Sequence, residues 1–519
     1  MLIAVSILYG CAVLSQVPSL VAFNWDEVVY ASQVRPGVAP VPMSAPRAWG
    51  MPIMLAPVAV LTQEVIVLRL YLTVLAVVGM YAAFQPWLGV FGPRAATAEG
   101  APGDRNQGEG RGGDQGPRAQ GPGAQGPGMG RPGAQGPGGL PAVSAYAVPL
   151  AAGLFATLWS TFLYGSMAYP NLWLAFALVA GVGWFCRGLR EPERIEPVVG
   201  MGVAFAVASL LRPTDAAALA LPLLVAGLVR LARRARRAAA LVAAVAGGLA
   251  IGWAVWVAEA FLRFGDPLNR LREGAEVNEA GIGFSLLRHL EAVDGPALLC
   301  RPPEVCADLH WFEVSWWFVL PVLVAAGFVF AEAVRPALTL IVACAVTFAL
   351  PYLLLFDYAN PRFMQPAYAL LMIPAAAGLV RLPLSRRTMR VVTPMLVAAL
   401  AAHLAGQVMT LQRVVGRVAP IYAAQREQAD ALRAEGVTHP CVLIGRGAIQ
   451  LGYLTGCRAV RTAEDPDPDE ETVVKALDGD EQVVLLVRRP SGRAPEGWVP
   501  LEVPDGAAYL RQGTKGSSN

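Results

Sequence analysis

Charge is what this chain has least of. Of its 519 residues only 15% are Asp, Glu, Lys or Arg, against 55% hydrophobic ones, and its mean hydropathy is +0.48. So few charges cannot cover a water-soluble globule of this size, which excludes an ordinary cytosolic enzyme. Lysine is almost missing: of the 41 basic residues only Lys475 and Lys515 are not Arg, a bias that fits high-GC codon usage. No basic arm or stacking patch stands out, so nucleic acid is not an expected partner. Seven cysteines are too few for a disulfide scaffold, and their spacing suits no metal cluster.

Long apolar runs are what the chain has instead. They fall near 2–22, 65–91, 143–164, 171–187, 197–212, 214–230, 238–259, 314–334, 336–356, 363–381 and 391–411. At about 1.5 Å per helical residue, runs of roughly 20 cross a hydrocarbon core about 30 Å thick. They predict a polytopic α-helical membrane protein with about eleven crossings. The first run has no positive n-region and no convincing small-residue cleavage site, and reads as a retained helix.

Arginine placement predicts orientation. Arg187, Arg190 and Arg194, then Arg230, Arg233, Arg234, Arg236 and Arg237, then Arg335, then Arg381, Arg386, Arg387 and Arg390 collect on one face. That face is expected to be cytoplasmic, along with the N-terminus. Parity then puts 23–64, 165–170, the Arg212-Pro213-Thr214-Asp215 turn, 260–313, 357–362 and everything after 411 on the outer side of a bacterial plasma membrane. Residues 93–141 repeat Pro-Gly-Ala-Gln-Gly-Pro-Gly at 122–128 and 132–138 and read as a disordered cytoplasmic loop, since they offer too little apolar surface to offset ordering entropy. Residues 1–411 form the expected membrane domain. Residues 412–519 carry 13 basic and 15 acidic residues. There, strand-like runs at 441–445, 482–487 and 498–503 alternate with helical stretches at 421–435, 447–455 and 469–478, which predicts a small outer α/β domain.

The candidate chemistry lies on the outer side. The first outer loop opens Trp25-Asp26-Glu27-Val28-Val29-Tyr30, with two carboxylates close to the membrane boundary. Acids at such a boundary are costly unless solvated, paired or used. A reaction that removes a hydroxyl proton and expels an anion needs such an acid as base, with Arg donors nearby. Arg47, Arg69, Arg212 and Arg362 are the outer-side candidates, each also readable as an interfacial anchor. Asp215 stands beside Arg212, and Tyr358 precedes Pro361-Arg362-Phe363.

The loop 260–313 is long enough to fold over a site, and 284–293 has the apolar stripe of an amphipathic surface helix. His289 and His310 lack zinc spacing and read as structural or acceptor-facing residues. Cys300 and Cys306, and Cys441 and Cys457, form two close pairs on the oxidising side, each able to close a disulfide.

In order, the motifs are Trp25-Asp26-Glu27-x-x-Tyr30, Arg47-Ala48-Trp49-Gly50-Met51-Pro52, Glu64-x-x-x-x-Arg69-Leu70, Tyr169-Pro170-Asn171, Leu211-Arg212-Pro213-Thr214-Asp215 and Pro361-Arg362-Phe363-x-x-Pro366. This series resembles the GT-C glycosyltransferases of the family 39 type, which include protein O-mannosyltransferases and lipid A aminoarabinose transferases. The resemblance covers nearly the whole chain and rests on the order and placement of the motifs.

It implies a GT-C fold and inverting transfer of a sugar from a polyprenyl-phosphate-linked donor to an acceptor hydroxyl on a cell-envelope glycan, lipid or protein. It implies Asp26 as the general base, Glu27 as support for its orientation or charge, and one or more of Arg69, Arg212 and Arg362 as holders of the leaving phosphate. Relatives with a Lys-Pro-Pro segment have a cation there; here Gly50-Met51-Pro52 stands, and Arg47 is the substitute. The resemblance leaves open whether a divalent metal, Mg or Mn, takes part. A flippase for lipid-linked sugars and an inactive envelope scaffold are the rival readings. No internal repeat supports a transporter.

Overall fold

The computed structural model describes residues 1–92, 146–233, 238–295, 309–382, 386–445, 447–460, 481–487, 497–504 and 506–511, with Leu298, Cys300 and Cys306 between. The repeat at 93–141 and the helix expected at 469–478 lie outside these residues.

The helices, in chain order, are α1 (Leu2–Leu14), α2 (Trp25–Ser32), α3 (Gly50–Ala59), α4 (Val65–Phe91), α5 (Ala147–Ala156), α6 (Trp159–Tyr164), α7 (Pro170–Arg190), α8 (Glu196–Leu211), α9 (Pro213–Ala232), α10 (Ala238–Arg263), α11 (Pro267–Val277), α12 (Leu286–Val293), α13 (Trp311–Phe330), α14 (Arg335–Leu354), α15 (Gln365–Arg381), α16 (Arg386–Ala434) and α17 (Ala448–Thr455). All eleven predicted crossings coincide with helix. Among the described residues, eight helices have the length and apolarity to cross a membrane. The other three sites hold α5 and α6, broken at Thr157-Leu158, the 16-residue α8 and the 17-residue α15.

The chain is a multi-pass helical membrane protein. α7 and α15 are buried along most of their length at the centre of the bundle. α13 and α16 instead present apolar rows such as Val319, Val322 and Val329, and Met395 and Val397, on their exposed faces. Apolar side chains turned outward are what lipid-facing helices require, because lipid cannot satisfy polar groups. α13 and α15 approach closely where Gly327 and Gly378 meet: a Cβ built on Gly327 would collide with the Pro374 carbonyl oxygen.

The loops that parity placed together do gather at one end of the bundle. Arg263 on α10 donates to the Met43 carbonyl at 3.0 Å. Tyr352 near the end of α14 donates to Asp215 at the start of α9, at 2.6 Å. The loop between α10 and α13 carries α11, which periodicity did not reveal, and α12. α12 does not lie free on a surface: His289, Leu290, Glu291, Ala292 and Val293 are buried, and burial pushes the His289 imidazole down to about 4 although its Nε2 lies 3.3 Å from the Tyr352 carbonyl oxygen. Cys300 and Cys306 are joined by a disulfide in the same loop.

α16 is one continuous helix that runs from the membrane run straight into the C-terminal domain, through residue 411 and past Pro420. The domain is a five-stranded sheet of β1 (Cys441–Gly445), β2 (Arg458–Val460), β3 (Gln482–Val487), β4 (Val499–Leu501) and β5 (Ala507–Arg511) in the order β2-β1-β3-β5-β4. β1 pairs in parallel with β2 and β3, while β5 runs antiparallel to β3 and β4. A disulfide joins Cys441 on β1 to Cys457, just past α17. α17 packs on the segment that carries α2: the Tyr453 ring lies 5.2 Å from Phe23, and the Arg35 guanidinium stacks on it at 4.4 Å.

Candidate active site

The site begins with how α2 starts. Asn24 is the N-cap, its side chain accepting from the Asp26 amide at 3.0 Å, and Glu27 reaches back to accept from the Asn24 amide at 3.0 Å. This is a capping box, which fixes the first turn of the helix. Successive residues on a helix face different ways, so Asp26 and Glu27 enter different surroundings.

Glu27 turns into the protein and is fully buried, as is Arg69 on α4. Arg69 meets its carboxylate with two hydrogen bonds, of 2.6 and 3.1 Å, and the Ala168 amide donates to it at 2.8 Å. The remaining Arg69 donors reach the carbonyls of Leu20 at 2.8 Å, Ser166 at 3.0 Å and Ala22 at 2.6 Å. A guanidinium has five N–H groups, and all five are in use. Arg69 is therefore a strut that joins α4 to α2 and the 166–168 turn, and in this arrangement it has no N–H left to meet a phosphate. Glu27 is the other half of that strut and ties α2 to α4 and the 166–168 turn.

Asp26 faces the opposite way, into a cavity of about 580 Å³. Its Oδ1 accepts from Arg47 and its Oδ2 from Arg362 at 2.8 Å. Both guanidiniums also stack on rings, Arg47 on Trp25 at 4.5 Å and Arg362 on Tyr169 at 4.0 Å. Burial alone would raise the Asp26 pKa, but Arg362 and Arg47 outweigh it and hold the carboxyl below its usual range. Arg362 is held above its ordinary value by the Asp26 charge, against the opposing effect of burial.

The cavity gathers most of the residues singled out in the sequence. Asp26, Tyr30, Arg47, Arg212, Tyr358 and Arg362 all line it. Arg212 is paired through Nε with Asp215 at 2.6 Å, and Asp215 also accepts from Tyr352 at 2.6 Å. Asp215 thus fixes Arg212 from behind. Tyr358 donates to Asn278 at 3.3 Å. Gly50 lets the Arg47 segment lie against the end of α8: a Cβ there would meet the Leu210 backbone at 2.6 Å.

Sequence reading missed several site residues. Glu276, Asn278 and Glu279, from α11 and its end, form part of the cavity wall. Arg270 on α11 is buried and donates to Glu259 at 2.8 Å and to the carbonyls of Ala45, Trp256 and Arg47 at 3.1, 2.6 and 2.8 Å. It braces the loop that presents Arg47. Nothing in Asn269-Arg270-Leu271-Arg272 distinguishes this arginine from a solvated one. Glu27 did carry a signal: Asn24-x-x-Glu27 has the spacing of a capping box, which predicts a carboxylate turned back onto its own helix.

The oxygens of Asp26 face guanidiniums, and among the described residues no three His, Cys, Asp or Glu side chains converge as metal ligands would.

With this geometry in hand, solved structures identify the class of fold. The chain matches ArnT from Cupriavidus metallidurans bound to undecaprenyl phosphate, with a TM-score of 0.63, 13% identity, and coverage of 98% of this chain and 97% of that one. It also matches the apo state of the same protein, with a TM-score of 0.56, 13% identity and 97% coverage of both chains. The chain therefore shares the fold of ArnT over nearly its whole length. No protein-family model matches the sequence, and no curated protein does.

Proposed function

We propose that the chain is a membrane glycosyltransferase that moves a sugar from a polyprenyl-phosphate-linked donor to an acceptor hydroxyl, with inversion, at the outer face of the membrane. The observation that carries this reading is one cavity in which Asp26 is clasped by Arg47 and Arg362, with Arg212 also on the wall and Glu276 and Glu279 contributed by the end of α11. Transfer from a phosphate-linked sugar needs a base for the incoming hydroxyl and fixed positive charge for the leaving phosphate. The remaining lining is rich in aromatic and amide side chains, among them Tyr30, Tyr358, Phe363 and Asn278, the kinds of group that bind sugars. Undecaprenyl phosphate bound in the similarly folded ArnT supports a polyprenyl donor.

In this mechanism Asp26 takes the acceptor hydroxyl proton as the oxygen attacks the anomeric carbon. The bond from that carbon to the phosphate oxygen breaks, and its electron pair leaves with the phosphate. The lipid phosphate gains one negative charge in that step. Arg212, fixed by Asp215, and Arg362, stacked on Tyr169, line the cavity where that charge develops and stabilise it.

The test is transfer of labelled sugar from a panel of polyprenyl-phosphate donors to a mixed acceptor extract, in membranes containing the full chain. Transfer from at least one donor is expected. Lipid binding or lipid-sugar translocation without transfer would overturn the enzyme reading in favour of a flippase or scaffold.

A further inference from the structure

The base of the proposed reaction is not free in the structure. Both Asp26 oxygens are held, one by Arg47 and one by Arg362, and a carboxylate so held is a poor proton acceptor. Yet these guanidiniums line the same cavity and are the groups a donor phosphate would seek. Beside them is a seat for an anion that uses neither. The 21-residue α7 begins at Pro170 on the cavity wall, and the first amides of a helix have no partner within it. Asn171, in that first turn, lines the cavity and is fully buried, and neither of its side-chain amide atoms has a hydrogen-bond partner among the described residues.

We propose that Asp26 is a masked base: a donor phosphate seated at the α7 N-terminus beside Asn171 draws Arg362 and Arg47 onto itself, and only then is Asp26 released to take the acceptor proton. The proposal rests on the donor reading above. It couples the two halves of the reaction through shared arginines. Without donor, water in the cavity meets a neutralised carboxylate. With donor, the guanidiniums move to the oxygens that will carry the new charge, and the proton leaving the acceptor O–H bond has an unpaired carboxylate to go to.

The charged and titratable groups around Asp26 and on its cavity come from five other segments: Arg47 after α2, Tyr358 and Arg362 before α15, Arg212 between α8 and α9, Tyr164 and Tyr169 flanking the α6–α7 turn, and Glu276 and Glu279 at the end of α11. Tyr30 and Glu27 share its helix. Of these, only Arg47 and Arg362 bond its carboxylate.

The test reads Asp26 itself. In nanodiscs holding the full chain, the infrared band of ¹³C-labelled aspartate that disappears in Asp26→Asn is titrated with and without undecaprenyl phosphate, whose binding is followed separately by thermal shift. The protonation midpoint is expected to rise when the lipid binds. In Arg362→Gln it should be raised before lipid is added, and the further rise on binding should be smaller than in wild type; Arg47→Gln gives the same comparison should the first variant not fold. Lipid that binds but leaves the midpoint unmoved, or lowers it, overturns the mask and leaves the donor reading standing. Failure of both the lipid and inorganic phosphate to bind overturns both. The same rise produced by inorganic phosphate, with no binding of the lipid, would uphold the mask and overturn the lipid donor.

Discussion

Asp26 and Glu27 are neighbours in the chain and belong to two different regions of the molecule. Glu27 sits in a sealed wall between α2, α4 and the 166–168 turn, where every N–H of Arg69 is satisfied. Asp26 sits on the cavity, one-fifth exposed, held by arginines that also line the cavity. The two regions contain the same residue types. They differ in whether spare hydrogen-bonding capacity is left over, and that separates a strut from a site: a saturated buried pair can only hold structure, whereas a pair beside a cavity can exchange partners.

The comparison can be broken most forcefully from the sealed side. Removing one member of a fully buried ion pair strands the other, at a cost of about 3–5 kcal/mol. Glu27→Ala or Arg69→Ala should therefore lower thermal stability sharply or abolish the folded yield, as read by thermal shift and size-exclusion chromatography. A well-folded Arg69→Ala protein that lost only donor affinity would return Arg69 to the phosphate set. From the cavity side, Arg362→Gln should fold and lose on the order of 10²-fold in transfer rate, the effect of removing one preorganised donor to developing charge. The smallest expected effect is on stability in acid. The Asp26 pKa is held low in the folded protein, so the clasp with Arg47 and Arg362 contributes stability at neutral pH, and that contribution is lost as pH falls through the depressed value. Asp26→Asn should flatten this part of a stability-against-pH curve. An unchanged acid limb would show that the clasp contributes nothing to folding.

The membrane fold was legible because burial in lipid demands long apolar runs, and run length survives without knowledge of tertiary contacts. What composition could not show was where a helix ends. The apolar run stops near 411, but no helix breaker follows strongly enough to stop α16 before Gly436, so composition mistakes a change of environment for a change of structure. α3 and α11 escaped for the opposite reason: one is only ten residues long with a proline inside, and the other is polar. In the C-terminal domain, β2 is three residues long and too short to register. The cavity was legible as a set of motifs, since Asp26, Arg47, Arg212 and Arg362 come from four distant segments that parity alone put at one end. The division of labour within the set was not. It depends on counting hydrogen bonds around each guanidinium, and only the capping-box spacing of Asn24 and Glu27 hinted at it.

The measurement closest to the central claim is sugar transfer by Asp26→Asn compared with wild type, in the same membranes and with folding checked by thermal shift. Loss of a positioned general base should cost at least about 100-fold in kcat with the protein still folded and still binding polyprenyl phosphate. A folded Asp26→Asn variant as active as wild type would contradict the account, because the cavity would then hold its arginines around a residue that does no chemistry.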